Sequence, residues 1–157
     1  MSETSITVSR TIDAPAKDIF NVLSNPRRHS ELDGSGFMRT GQNADRITAS
    51  GQVFTMDMEG EHMGGEYQTD NHVVGYDENK LLAWKTAPAG TEPPGWQWVW
   101  ELTAVDANTT EVRHTYDWSA VTDKDLLAKN LFPLVSSAQL DATLAKLAEA
   151  VASDRAK

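Results

Sequence analysis

Hydrophobic residues along this chain follow two rhythms. From the start to about Ser119 they mostly alternate with polar ones, beginning with Ile6, Val8 and Ile12 against Thr7, Ser9 and Thr11, with Arg10 interrupting the apolar side. A period of two predicts a strand with one buried face. Between Pro133 and Ser153 the rhythm changes: Leu140, Leu144, Leu147, Ala148 and Val151 recur on one helical face, and Gln139, Lys146, Glu149 and Ser153 fall on the other. It is the one long amphipathic helix the pattern predicts. A sheet that is apolar on one side needs such an element to cover it.

Punctuation supplies the remaining elements. Pro15 is placed at the first position of a short helix that brings Ile19, Phe20 and Leu23 to one side, and Ser24-Asn25-Pro26 ends it. A second short helix is predicted from Pro26 to about Leu32, before the breaker Asp33-Gly34-Ser35-Gly36. Strands follow around Phe37 to Thr40, Gln52 to Glu59, Glu66 to Tyr76, Lys80 to Thr86, Trp96 to Val105 and Thr110 to Ser119. Their short connections, such as Asp77-Glu78-Asn79 and Asp106-Ala107-Asn108, imply antiparallel neighbours. The proline-rich stretch Ala87 to Gly95 reads as a loop, and Glu61-His62-Met63 with Gly64-Gly65 as a hairpin tip. Asp123 is expected to cap a short helix through Leu131. The strand containing His72 has no assignable inward face, because Val73 and Val74 are adjacent and Tyr67 and Tyr76 fall on opposite sides.

Composition narrows the function. At 157 residues a single domain with one core, 1–157, is expected. With 14 Lys and Arg against 23 Asp and Glu, the net charge of −9 leaves no basic stripe for a phosphate backbone, so no nucleic-acid partner is expected. The first residues have neither a positive segment nor an apolar one, and no apolar run reaches bilayer length. A cytoplasmic protein without membrane insertion is the expectation. The absence of cysteine removes disulfides, thiolate metal sites and a thiol nucleophile. Nothing in the sequence asks for a cofactor.

The hairpin Trp96 to Trp118 concentrates the candidate chemistry. Trp98, Trp100 and Leu102 share one face of its first strand, and Val112, His114, Tyr116 and Trp118 share one face of its second. The aliphatic members make these the inward sides, leaving Gln97, Glu101, Arg113 and Asp117 toward water. Indoles, a phenol and an imidazole then converge under the helix, the composition of an apolar pocket with a few placed polar groups. Met56 and Met58, beside Phe54, suit an adaptable wall; Trp84, Leu140 and Leu144 complete the predicted lining. His114 and Tyr116 are the acid–base candidates, since imidazole titrates near neutral pH. The acidic stretch Asp57-Met58-Glu59-Gly60-Glu61-His62 lacks a metal-binding spacing, and alternation turns Asp57 and Glu59 to solvent, so no metal is expected. Arg27-Arg28-His29 reads as a charged surface turn.

A family resemblance joins these readings. The run from Ile12-Asp13-Ala14-Pro15 through Ser24-Asn25-Pro26-Arg27-Arg28-His29 resembles the opening of the START-like, Bet v 1-like (SRPBCC) superfamily, in its bacterial polyketide cyclase/dehydrase and lipid transport branch. Asp77-Glu78-Asn79-Lys80-Leu81-Leu82-Ala83-Trp84, Thr110-Glu111-Val112 and Leu140-Asp141-Ala142-Thr143-Leu144-Ala145-Lys146-Leu147 also match it. The resemblance implies an α+β helix-grip fold, in which a curved seven-stranded antiparallel sheet wraps the C-terminal helix and encloses a cavity. It also implies binding or transport of a hydrophobic small molecule such as a lipid, polyketide or aromatic metabolite. Monomer and homodimer both stay open, because the two edges of such a sheet can pair across a dimer or be blunted by charge. The alternatives are a cyclase/aromatase-like enzyme using the same cavity and a protein-interaction module. These motifs diagnose fold and leave the cavity lining free.

Overall fold

The computed structural model describes residues 4–32, 38–42, 46–60, 65–122 and 135–155. Strand β1 (Ser5–Ile12) leads into helix α1 (Ala16–Leu23), a 3-10 turn (Pro26–Arg28) and helix α2 (His29–Leu32). Six strands follow: β2 (Met38–Gln42), β3 (Val53–Gly60), β4 (Gly65–Asp77), β5 (Leu81–Pro88), β6 (Gln97–Asp106) and β7 (Thr109–Asp117). Helix α3 (Ser137–Arg155) closes the described chain. The strands form one antiparallel sheet in the order β1-β7-β6-β5-β4-β3-β2, so that β2 to β7 make a meander and β1 returns beside β7. The architecture is α+β of the helix-grip type. The helix expected from Asp123 and the hairpin tip at Glu61 to Gly64 lie outside the described residues.

Helix starts follow local chemistry. Pro15 precedes α1 rather than opening it: its ψ of 148° is extended, and its carbonyl accepts the amides of Asp18 and Ile19. The proline ring fixes only φ, leaving ψ free to place the helix start one residue later. Ile19, Phe20, Val22 and Leu23 are then buried together. At α3 the start is set by a reciprocal cap. Gln139 N–H donates to Ser136 Oγ at 3.2 Å, and Ser136 N–H donates to Gln139 Oε1 at 2.8 Å, the two halves of a capping box. From there Leu140, Leu144, Leu147 and Val151 form a fully buried stripe. α3 packs chiefly against β1, α2 and α1, and an Arg28–Asp154 ion pair ties the short helical turn to its far end.

Strand β4 contains the irregularity that the period-two reading could not resolve. Val73 pairs with Trp84 and Gly75 with Ala83, so Val74 is the extra residue of a bulge and is 47% exposed. The slip brings Tyr67, paired with Met58, and Tyr76, paired with Leu82, to the same inward side. His72 consequently lies on the opposite side, between Val53 and Lys85. The proline-rich stretch is also more ordered than its composition implies. β5 runs through Pro88, Ala89 N–H donates to Gln68 O at 3.0 Å, and Gly90 N–H donates to Asp70 Oδ2 at 2.9 Å. At its end Gly95 has φ +133°, and a Cβ there would stand 2.6 Å from the Ala120 carbonyl oxygen. Only glycine allows that backbone approach.

Two substitutions test this account of α3. Leu147 has no exposed surface, and Leu147→Ala is expected to cost roughly 2–5 kcal/mol. Ser136→Ala removes half of the capping box and is expected to cost about 1 kcal/mol. Urea denaturation of both variants measures these losses. A Leu147→Ala protein as stable as the parent would remove α3 as the element that seals the core.

Candidate functional site

Strands β6 and β7 pair so that Trp98 lies opposite Tyr116, Trp100 opposite His114 and Leu102 opposite Val112, all on the inward side. Their rings stack as slabs. The Trp100 and His114 centroids are 3.7 Å apart at 19°, and those of Trp98 and Tyr116 are 4.3 Å apart at 11°. Trp118 continues the row, tilted 50° against Tyr116 at 5.0 Å. Trp100, His114, Tyr116 and Trp118 are buried, while Trp98 is half-buried. Glu101 and Arg113 are exposed on the other side.

His114 occupies an apolar slot in this wall. Its Nδ1 lies 3.2 Å from the Val99 carbonyl oxygen, which can only accept, so Nδ1 carries the proton and Nε2 the lone pair. Burial drives its pKa down from 6.5 to about 3, against the opposing pull of that hydrogen bond. The ring is therefore a neutral imidazole across the physiological range.

The inward side of β3, β4 and β5 supplies the second wall. Phe54 and Met56 are buried and Met58 half-buried, opposite Asn71, Thr69 and Tyr67 respectively. Trp84, paired with Val73 and Trp98, meets Phe54 edge-on at 5.3 Å. A hydrogen-bonded row crosses all of these strands. Trp98 Nε1–H donates to Thr86 Oγ1 at 3.1 Å, and the Thr86 hydroxyl donates to Asn71 Oδ1 at 2.7 Å. Asn71 Nδ2 in turn donates to the Phe54 carbonyl at 3.2 Å and to Thr69 Oγ1 at 3.4 Å. Burying amides and hydroxyls on an apolar face costs free energy unless they pair, and here they pair with one another. From the helical side, Leu140 and Leu144 join the same buried cluster as Trp84, Trp100 and Tyr116.

One sequence reading is corrected at this site. His29 is not part of a charged surface turn. It is 4% exposed, and its ring stacks on Trp84 at 5.1 Å and 15° and meets Phe54 edge-on at 5.5 Å. Its Nε2–H donates to the Leu23 carbonyl at 2.7 Å, and burial lowers its pKa to about 4. The first residue of α2 faces the sheet, and a flat imidazole fits against a flat indole. Arg28, the neighbouring cation, is partly exposed and paired with Asp154. Sequence reasoning also passed over Thr86, Asn71 and Thr69. Thr86 has the strand parity of Leu82 and Trp84, which was the available signal; Asn71 and Thr69 share parity with Val73, but the bulge hid it.

The acidic side chains of β3 and β4 lie on the opposite side of the sheet. Gln68 Nε2–H donates to Asp57 at 2.9 Å, and Asp70 accepts Gly90 N–H and the Thr55 hydroxyl, which hold its carboxyl below the usual range. Among the described residues no three His, Asp or Glu side chains come together as a metal site, and no helix is long and apolar enough to cross a membrane.

Comparison with known proteins agrees with this geometry. The family model described as polyketide cyclase / dehydrase and lipid transport matches residues 3–152. The uncharacterized Mycobacterium tuberculosis protein Rv0088 is 31% identical over 155 residues, covering 95% of this chain and 66% of that protein. The chain thus spans just under two thirds of that relative's length. Among solved structures, Ms6760 from Mycobacterium smegmatis superposes with a TM-score of 0.66 at 15% identity, over 96% of this chain and 92% of that one. The Zhui aromatase/cyclase from a Streptomyces species gives 0.64 at 13% identity, over 94% and 92%. At such identities the two structures share the fold. The match along nearly the whole sequence, on the sheet and helix just described, establishes that the chain belongs to the polyketide cyclase/dehydrase and lipid transport family of the START-like, SRPBCC superfamily.

Proposed function

We propose that this protein binds a hydrophobic small molecule, such as a lipid, a polyketide or an aromatic metabolite, between the inward side of the sheet and α3, and holds it without transforming it. The observation that carries this reading is the stacked wall Trp100–His114 and Trp98–Tyr116, running into the hydrogen-bonded row Trp98–Thr86–Asn71. Flat apolar rings backed by a few fixed polar atoms suit a flat or chain-like apolar ligand. Met58, Tyr67 and Trp98 lie on the inward side yet remain half-buried, which supports an accessible end of the proposed pocket at β3, β4 and β6.

The state of His114 ranks binding above cyclase-type catalysis. An imidazole whose conjugate acid has a pKa of about 3 is not an imidazolium acid at neutral pH, and its one remaining proton, on Nδ1, is committed to the Val99 carbonyl. As a base it is also far from the match to working pH that general catalysis favours. In the binding reading, His114 and Tyr116 serve as wall and not as proton carriers.

Native mass spectrometry of the purified protein, followed by denaturation and identification of what is released, tests the binding reading. A discrete apolar compound, recovered unchanged after incubation, is the expected result. Trp98→Ala is expected to weaken its binding about tenfold, the loss of one stacking surface plus its buried area. Conversion of the released compound into a product by the protein would overturn the carrier reading in favour of catalysis.

Acid sensitivity provides an independent check on the buried histidines. Their folded pKa values of about 4 and about 3 lie below the ordinary 6.5, so the unfolded chain binds more protons once the pH falls under that value. Stability is therefore complete above about pH 6.5 and declines as the pH falls toward 4, by roughly 1 kcal/mol per pH unit for each histidine. Urea denaturation at pH 7, 6 and 5 should show the decline, and His114→Asn should remove about half of its slope. A flat profile would contradict the neutral burial of both rings.

A further inference from the structure

Two polar atoms on the inward side stand apart from the satisfied row. His29 Nδ1 and Trp100 Nε1 are both fully enclosed, and neither has a hydrogen-bond partner among the described residues. They are opposite in kind. Because His29 Nε2–H is committed to the Leu23 carbonyl, Nδ1 holds a lone pair and can only accept. An indole N–H can only donate. Both lie on the inward side but against different neighbours: His29 stacks on Trp84, whereas Trp100, paired across the sheet with Leu82, stacks on His114. Leaving one such group unpaired in a packed interior costs about 1–3 kcal/mol, so a protein that keeps two is expected to gain from them elsewhere.

Resting on the binding reading above, we infer that the ligand is an oxygenated hydrophobe carrying at least one hydroxyl. The hydroxyl proton goes to His29 Nδ1, which can only accept, and a lone pair of a ligand oxygen, the same or another, accepts the Trp100 indole proton. A purely hydrocarbon ligand would cover these atoms and leave them unpaired, whereas a carboxylate would bring no proton for Nδ1 and would bury a charge among indoles. The site thus selects by hydroxyl, with the aromatic wall supplying most of the affinity and the two orphaned atoms the discrimination.

A matched pair of probes tests the inference: 2-naphthol and 2-methylnaphthalene, which differ in a hydroxyl against a methyl group of similar size. Titration calorimetry with the full chain is expected to show 2-naphthol binding about tenfold tighter or more. In His29→Phe, which keeps a ring on Trp84, the preference should fall to near unity while 2-methylnaphthalene still binds. In 15N-labelled wild-type protein, the His29 Nδ1 resonance should move with 2-naphthol and stay in place with 2-methylnaphthalene. Equal affinity of the wild type for the two probes would overturn the hydroxyl assignment and leave the pocket standing, as when buried water satisfies both atoms. Binding of neither probe would overturn the pocket and the assignment together.

Discussion

The stripe Leu140, Leu144, Leu147 and Val151 withdraws one helical face and one side of the sheet from water at the same time, and the rest of the interior is arranged around that contact. Because α3 lies chiefly on β1, α1 and α2, it seals one half of the inward side by ordinary helix-on-sheet packing. The other half, from β3 to β6, is covered partly by α2 through the His29–Trp84 stack, and it is there that Met58, Tyr67 and Trp98 stay half-buried. Among the described residues the inward side is therefore closely covered at one end and more accessible at the other. The binding proposal rests on this asymmetry, since the superfamily fold alone does not determine what is bound.

Polar groups inside the more accessible half follow a consistent logic. Thr86, Asn71 and Thr69 could each have been apolar without disturbing the strand pattern, yet they interlock with Trp98 and with the Phe54 carbonyl. A fully paired row of this kind stiffens the wall and fixes the plane of the Trp98 ring. His114 contributes similarly, its proton committed to Val99 and its faces to the indoles. Among the described residues, the buried side-chain polar atoms left unpaired on the inward side are a ring nitrogen of His29 and the indole N–H of Trp100.

Much of this was legible in the sequence where the periodicity was clean. The inward rows of β6 and β7 follow directly from alternation, because nothing interrupts the period of two between Trp98 and Leu102 or between Val112 and Trp118. The element order and the α+β helix-grip class follow from the same pattern and from the family resemblance. His29 was not legible, since a histidine after two arginines has the composition of a solvated turn and only the packing of α2 on Trp84 reveals otherwise. The inward side of β4 was hidden for a different reason: a bulge changes parity within the strand, and no local residue type at Val73-Val74-Gly75 announces it strongly. The α3 cap was written in the sequence as Ser136 followed by Gln139, but the broader apolar rhythm drew the helix boundary toward Pro133. The hydroxyl preference inferred above was out of reach, because it rests on which buried atoms are left unpaired, and that is decided by contacts between distant elements.

The bulge in β4 also bears on how this sequence can change over time. A strand with a spare residue carries two registers in one stretch, with Tyr67, Thr69, Asn71 and Val73 set by one and Tyr76 by the other. Replacing exposed Val74 with another side chain alters little of the interior. Deleting it would straighten the ladder and set the two halves at odds, sending either the hydrogen-bonded Asn71 or the Phe20 partner Tyr76 out of the core. Length at this position is thus under tighter restraint than identity, and lineages descending from this chain would be expected to vary the residue freely while keeping its place.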